Sequence, residues 1–93
     1  MDTVLQEKVF QSLQVSREQI LDEVATLMAY QKRSEFRAEV DWYETKYHMK
    51  FSSFDHQFKQ HTATEELEND WMSWRFAEEG IQYWNNLLKE NTP

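Results

Sequence analysis

The chain has 93 residues and a net charge of −7 at neutral pH, and its 40% hydrophobic content is too high for wholesale disorder. One glycine and one proline exclude a sheet of many strands, because hairpins need frequent turn residues, and the absence of cysteine excludes disulfides and thiolate metal sites. We therefore predict one all-α domain spanning residues 1–93, at a size where a lone monomer is only marginally stable.

The first predicted element is a short helix from Thr3 to Gln14, in which Leu5, Val9 and Leu13 recur every four residues. A capping box, Ser16-Arg17-Glu18-Gln19, then begins a second helix. No helix breaker follows until Tyr47, so this helix is predicted from about Arg17 to about Tyr47, a length of about 45 Å, and the sequence does not decide whether it bends near residues 31–34.

Two apolar sets share the period of this long helix, with a polar stretch at 31–35 between them. The first set is Ile20, Val24, Leu27 and Met28, and the second is Phe36, Val40, Tyr43 and Tyr47. The length exceeds the diameter of a small domain. Such a helix is therefore expected either to pack on an equally long helix or to project towards a partner.

A bend is predicted over residues 47–51, followed by a short helix that Ser52 and Ser53 cap and that carries Phe54 and Phe58. Phe51, ahead of the cap, is expected to pack back onto that helix.

A second capping box, Thr62-Ala63-Thr64-Glu65, begins the last helix. One of its faces carries Leu67, Trp71, Trp74, Ile81, Trp84 and Leu88. Gly80 interrupts this face, which indicates either a close helix contact or a slight kink.

These elements predict an antiparallel long-helix hairpin with a short connecting helix, closed at one end by the short N-terminal helix. Two antiparallel helices share a single seam and cannot enclose all their aromatic residues. Apolar surface should therefore remain for a protein partner or for a homo-oligomer, most simply a dimer.

The sequence offers no predicted catalytic, metal or cofactor site. The histidines at 48, 56 and 61 lack metal-ligand spacing, the serines lie on helices or at caps, and one glycine cannot make a phosphate loop. The basic residues Lys32, Arg33 and Arg37 are diluted by acids, which favours a solvated helix face over a nucleic-acid groove. We expect a protein that is not an enzyme.

The distribution of charge indicates the kind of partner, and the targeting signals indicate the location of the protein. Residues 61–93 carry seven acids and two bases, a surface that repels nucleic acid and attracts a basic protein. No apolar run approaches the roughly 20 residues of a membrane span, and the N-terminus lacks the apolar core of a signal peptide. We expect a cytoplasmic protein that does not bind membranes.

Aromatic residues are the strongest signal in the chain. Most recur at helical spacing and are expected in the core, but Trp42 and Phe76 lie off the main apolar faces. Exposed aromatic residues dominate binding hot spots, so these two are either partner contacts or packing within an oligomer of the chain itself.

The string Lys46-Tyr47-His48-Met49, the short Phe-containing segment after it, and Asp70-Trp71-Met72-Ser73-Trp74 resemble the small helical antitoxins of prokaryotic toxin–antitoxin systems. The resemblance covers residues from about 40 to about 90, and His48 stands where that family often has glycine. It implies a non-enzymatic protein that silences a toxin, commonly ribonuclease-like. The positions matching its motif, together with the two off-face aromatics, give the candidate partner-binding set: Trp42, Tyr47, Met49, Phe51, Phe54, Trp71, Trp74 and Phe76.

Three functions are compatible with the sequence. The first is a protein-binding neutraliser of antitoxin type. The second is a homo-oligomeric scaffold whose aromatic residues serve only its own assembly, and the third is an acidic phage-type inhibitor that imitates nucleic-acid charge.

Overall fold

The computed structural model describes residues 3–90, which form four α-helices and no strand: α1 (Thr3–Leu13), α2 (Arg17–Tyr47), α3 (Phe51–Gln60) and α4 (Glu65–Glu90). This confirms the predicted all-α class. The molecule extends over 61 × 30 × 17 Å, and its radius of gyration is 19.6 Å. A compact chain of this length would have a radius of gyration of about 12–13 Å, so the fold is elongated.

The start of α2 is the predicted capping box. The Ser16 hydroxyl accepts a hydrogen bond from the Gln19 backbone N–H at 3.1 Å, and the Gln19 side-chain oxygen accepts one from the Ser16 N–H at 2.8 Å. These reciprocal bonds satisfy two N–H groups that otherwise lack partners at a helix start. From there α2 continues unbroken through the polar stretch at 31–35, as predicted.

The end of α2 depends on one residue in the left-handed region. His48 has φ 55° and ψ 38°, and its backbone N–H donates to the Glu44 carbonyl at 2.8 Å. This conformation ends the helix and turns the chain towards α3, although it costs a non-glycine residue about 1–2 kcal/mol.

The two later helix starts differ from the sequence prediction. α3 begins at Phe51, one residue before the predicted serine caps, and Lys50 precedes it without a side-chain cap. At α4 the Thr64 hydroxyl accepts from the Leu67 N–H at 3.2 Å. The predicted box from Thr62 to Glu65 is therefore wrong: the cap lies two residues later, where the third helical residue is a leucine that cannot bond back.

Contacts between α2 and α4 pair the two helices in reverse order. Tyr43 stacks on Trp74 with ring centroids 5.5 Å apart, and nearer the N-terminus of α2 the Phe36 ring meets Phe76 at 5.6 Å. Contacts therefore move forward along α4 as they move back along α2.

Trp74 is the centre of the core. Its side chain is fully buried, with Val40, Phe54 and Ala77 as the other buried residues of the cluster. The rings around it, at centroid distances of 5.0–5.9 Å, belong to Tyr43, Tyr47, Phe51 and Phe54. Within residues 3–90 the indole N–H has no hydrogen-bond partner. That costs about 1–3 kcal/mol, which aromatic contacts of about 0.5–1.5 kcal/mol each can offset.

Gly80 allows a close approach between α2 and α4. A Cβ atom placed on Gly80 would lie 2.6–2.7 Å from three carbons of the Phe36 ring. Of the two predicted explanations for this glycine, the close helix contact is the one observed, since α4 continues through it.

The N-terminal part of the molecule buries little. In α1 no residue is buried, and Leu5, Val9 and Leu13 are exposed, so the apolar face that was predicted to close one end of the hairpin remains uncovered.

The two apolar sets of α2 lie on different sides of the helix. Val24 and Phe36 are twelve residues apart, which at about 100° per residue places them about 120° apart around the helix. The prediction that the two apolar sets of α2 follow one period is therefore wrong, because the polar stretch changes its phase.

Candidate protein-docking surface

Three large side chains, two of them aromatic, lie exposed on the seam between α2 and α4 and are called the aromatic patch. Trp42 is 58% exposed, Met72 is 52% exposed and Phe76 is 63% exposed. Together with Glu39, Tyr43 and Ser73 they line an open pocket of about 490 Å³. Trp and Phe side chains exposed beside a concavity are typical anchors of protein interfaces.

The core supports the rings of the aromatic patch from behind. Trp42 meets the edge of the half-buried Tyr43 at 4.9 Å, and the Lys46 ammonium lies 5.2 Å from its ring centroid. Phe76 packs edge-on against Phe36 at 5.6 Å. Rings that are held in this way lose little conformational entropy when a partner covers them, which favours binding.

α4, which carries Met72 and Phe76, is acidic overall. This helix contains seven acidic and two basic residues, and one of the basic residues, Arg75, pairs with Glu79 at 3.0 Å. Glu39 on α2 adds a carboxylate to the pocket lining. A partner with a basic rim would be steered towards this surface.

A polar cluster fixes the start of α4 against the end of α2. The Tyr47 hydroxyl and the Lys46 ammonium both donate to one carboxylate oxygen of Asp70, the ammonium at 2.7 Å, and Lys46 also donates to Glu66 at 3.0 Å. Because these four side chains bond to one another across the seam, the cluster holds α4 in one register against α2.

The pKa values of this cluster follow from its contacts. Burial and the hydrogen bond to Asp70 raise the pKa of Tyr47 from 10.0 to about 12. Burial alone would raise the pKa of Asp70, but the hydrogen bonds from Lys46 and Tyr47 outweigh it and hold that pKa below 3.8. The bonds to Asp70 and Glu66 also raise the pKa of Lys46. At neutral pH these shifts favour a charged Lys46, a protonated Tyr47 hydroxyl and an ionised Asp70, which are the states in which the hydrogen bonds of the cluster form.

A second polar contact joins α3 to α4. The Trp71 indole N–H donates to Asp55 at 2.8 Å, and the Lys59 ammonium lies 3.1 Å from the other oxygen of the same carboxylate. These two partners lower the pKa of Asp55. The Trp71 ring also stacks on Phe58 at 5.1 Å, so α3 is attached to α4 by both a polar and an apolar contact.

The structure divides the eight candidate partner-binding residues into two groups. Trp42 and Phe76 lie together on the surface. The other six belong to the core or its edge: Phe54 and Trp74, which are buried, and Tyr47, Met49, Phe51 and Trp71, which are half-buried. Three of these, Tyr47, Met49 and Phe54, also line a smaller apolar pocket of about 250 Å³ beside α3.

The sequence-based set missed Met72. It lies four residues before Phe76, and this spacing places both on one side of α4. The signal was present in the sequence, but Met72 stands between core residues of the motif around Trp71 and Trp74 and was not separated from them.

Neither a metal site nor a membrane span is found in the described part of the chain. Within residues 3–90 no three His, Asp or Glu side chains lie close enough together to hold a metal ion. Among the same residues, no helix combines the length and apolar character needed to cross a membrane.

The fold and surface thus define an all-helical chain with an exposed aromatic patch. Comparisons with protein-family models, with curated proteins and with solved structures found no match.

Proposed function

We propose that this chain is a non-enzymatic protein-binding module whose aromatic patch binds a basic protein partner. The observation that carries the proposal is the exposure of Trp42, Met72 and Phe76 side by side over an open pocket. Leaving three large apolar side chains in water is unfavourable by about 25 cal/mol for each Å² of apolar surface, and a partner that covers them removes this penalty.

The proposed role is that of an antitoxin-type neutraliser, with a toxin of ribonuclease-like charge as the partner. Two features support this role: the acidic α4, which suits a basic enzyme, and the resemblance around residues 46–49 and 70–74. The proposed binding form is the antiparallel hairpin of α2 and α4 connected by α3, because it presents the patch on its two longest helices.

Co-expression with the product of the neighbouring gene tests the role. We expect that product to inhibit growth when expressed alone, and we expect the chain to co-purify with it and to restore growth. A neighbour that is harmless alone and does not co-purify would contradict the neutraliser role.

Substitution tests the surface. Trp42→Ala combined with Phe76→Ala should weaken the complex at least about 30-fold, since a hot-spot aromatic contributes about 2 kcal/mol or more. The matched control is Tyr83→Ala, another exposed aromatic on α4 that lies outside the patch. Equal affinity of the double variant and the wild type, measured by calorimetry, would rule out the patch as the binding surface.

A further inference from the structure

A second uncovered surface lies in the N-terminal half of α2. Five aliphatic residues form this aliphatic stripe: Ile20, Leu21, Val24, Leu27 and Met28. Ile20 is half-buried, and the other four expose between 44% and 66% of their surface. The stripe contains no aromatic residue and is separate from the residues that line the aromatic patch.

The aliphatic stripe faces away from α4. On this half of α2, the residues beside the C-terminal end of α4 are Asp22, Ala25, Thr26 and Ala29, which line a pocket together with Trp84. At about 100° per residue, the mid-point of the five stripe residues lies about 150° around the helix from the mid-point of these four pocket residues. No movement of α4 along its present seam would cover the stripe, so its cover must come from outside the hairpin.

The order of residues in the stripe is symmetric about Val24. Ile20 and Met28 lie four residues on either side of it, and Leu21 and Leu27 lie three residues on either side. A two-fold symmetric interface pairs residue i with residue j and residue j with residue i. An apolar pattern that reads the same in both directions is what an antiparallel pair of identical helices requires.

We propose that two copies of this chain form a two-fold symmetric dimer in which their α2 helices pair antiparallel through the aliphatic stripe, with Val24 at the axis. Ile20 of each copy then meets Met28 of the other, and Leu21 meets Leu27. This contact is independent of the proposed function and leaves the aromatic patch open.

The exposed area is sufficient for such a dimer. At about 100 Å² for each fully exposed aliphatic side chain, the four exposed residues of the stripe present roughly 230 Å² per chain, and Leu5, Val9 and Leu13 of the adjoining α1 bring the total to roughly 400 Å². Two chains together would bury roughly 800 Å² of apolar surface, which at about 65% apolar content corresponds to an interface of about 1,200 Å². That is the lower end of stable, specific interfaces.

The charges near the axis permit this pairing. Between residues 19 and 29 the only charged side chains are Asp22 and Glu23. Asp22 lies on the side of the pocket next to α4, away from the stripe. Glu23 is next to Val24 and would lie beside its own copy, a like-charge contact of only about 0.2–0.5 kcal/mol.

Light scattering on the full chain across a concentration series tests the dimer. We expect the wild type to dimerise and Val24→Glu to raise the dimer Kd at least about a hundredfold, because two carboxylates would then meet at the axis. The matched control is Tyr83→Glu, which puts the same charge at an exposed position of α4 and should remain dimeric. Near-ultraviolet circular dichroism of the Trp74 core checks that both variants are folded.

Cysteine cross-linking tests the register, since the chain has no cysteine of its own. Val24→Cys should form an intermolecular disulfide rapidly, because a symmetric pair at the axis has its Cβ atoms close together. Ser34→Cys should not, since ten residues from the axis its two copies would be about 30 Å apart. Any one of three results would overturn the proposal: a monomeric wild type, a dimer that Val24→Glu leaves intact, or faster cross-linking at residue 34 than at residue 24.

The two proposals fail separately. The monomeric Val24→Glu variant retains Trp42 and Phe76, so it should still bind the protein partner through the aromatic patch. Loss of dimerisation with retained partner binding therefore supports two independent surfaces, and loss of both in this variant would contradict their independence.

Discussion

The two halves of α2 differ in what surrounds them. Residues 36–47 face both α4 and α3, and around Trp74 three helices enclose an aromatic core. Residues 17–31 have the end of α4 beside them and, at Arg17, the Phe10 ring of α1 at 5.8 Å, and four of their aliphatic side chains remain largely exposed. One helix can therefore be a core element at one end and an open surface at the other.

The difference shows that a two-helix seam covers only one face of each helix, whereas a third helix allows enclosure. α3 is only ten residues long, but its Phe51 and Phe54 rings complete the shell around Trp74. In the N-terminal half, α1 is of similar length but does not bury its apolar residues. The part that lacks a third layer is the part for which we propose a second copy as cover.

The largest expected effect on stability comes from removing the Trp74 ring at the centre of the core. Trp74→Ala should lower the free energy of unfolding by about 3–5 kcal/mol, because it leaves a cavity where four other rings meet. Val24→Ala, measured on dilute monomeric protein, should change it by about 0.5 kcal/mol or less. Urea denaturation measures both, and similar losses at the two sites would show that the two halves are equally packed.

A methyl group at Gly80 tests how tightly the enclosed half is packed. Alanine is favoured over glycine in a helix by about 1 kcal/mol. Gly80→Ala should nevertheless destabilise the protein by about 1–3 kcal/mol, since its Cβ would overlap the Phe36 ring.

Two variants control this experiment. Asn69→Ala, at an exposed position of α4, should show the ordinary effect of alanine on helix stability. Phe36→Leu in the Gly80→Ala background should recover part of the lost stability. Thermal denaturation of the single and double variants measures this recovery. A stabilising Gly80→Ala would mean that the ring moves aside without cost.

The Tyr47–Asp70 contact makes the enclosed half sensitive to pH. The folded pKa of Asp70 lies below 3.8, so its contribution to stability is complete above that pH and is lost as the pH falls through the folded pKa. The pKa of Tyr47 is raised from 10.0 to about 12, so its contribution is complete below pH 10 and is lost as the pH rises towards 12.

Tyr47→Phe should cost about 1 kcal/mol at neutral pH and should remove the alkaline component attributed to this hydroxyl. Denaturation midpoints at several pH values, with the phenolate absorbance of the wild type, measure both effects. Tyr83→Phe, at an exposed tyrosine, is the control. A Tyr47 phenolate that forms at its ordinary pKa in the wild type would show that the bond to Asp70 is not made.

The smallest expected effect is a gain in stability at the bend between α2 and α3. His48→Gly should raise the free energy of unfolding by about 0.5–1 kcal/mol, since glycine adopts the left-handed conformation freely but also gains entropy in the unfolded chain. His48→Ala should give no such gain. If the two variants are equally stable in thermal melts, His48 bears no backbone strain.

Local features of the fold were predictable from the sequence, and those that depend on register were not. The Ser16 capping box and the uninterrupted α2 follow from residues within one or two turns of each other. At α4 two threonines compete for the cap, and the sequence did not show that Thr64 would take it. The Tyr47–Asp70 bond joins positions 23 residues apart, and its geometry depends on how α4 sits on α2.

The candidate surface was predicted in part for the same reason. Trp42 and Phe76 could be singled out because each departs from the apolar face of its own helix. Their meeting at one pocket depends on the packing of α2 on α4, which also brings in Met72. The burial of Trp74 within the same motif likewise depends on α3, whose exact start the sequence did not give.

The position of the aromatic core beside the bend has a consequence for the order of folding. Tyr47 and Asp70 are separated by 23 residues along the chain, whereas Arg33 and Asn85, which bond at 2.8 Å, are separated by 52. Closing the shorter loop costs less entropy, so we expect the segment around α3 to assemble first and the long helices to join outward from it. Folding kinetics should then show that Phe54 substitutions slow folding while Arg33 substitutions mainly speed unfolding, and the reverse pattern would place nucleation at the open end.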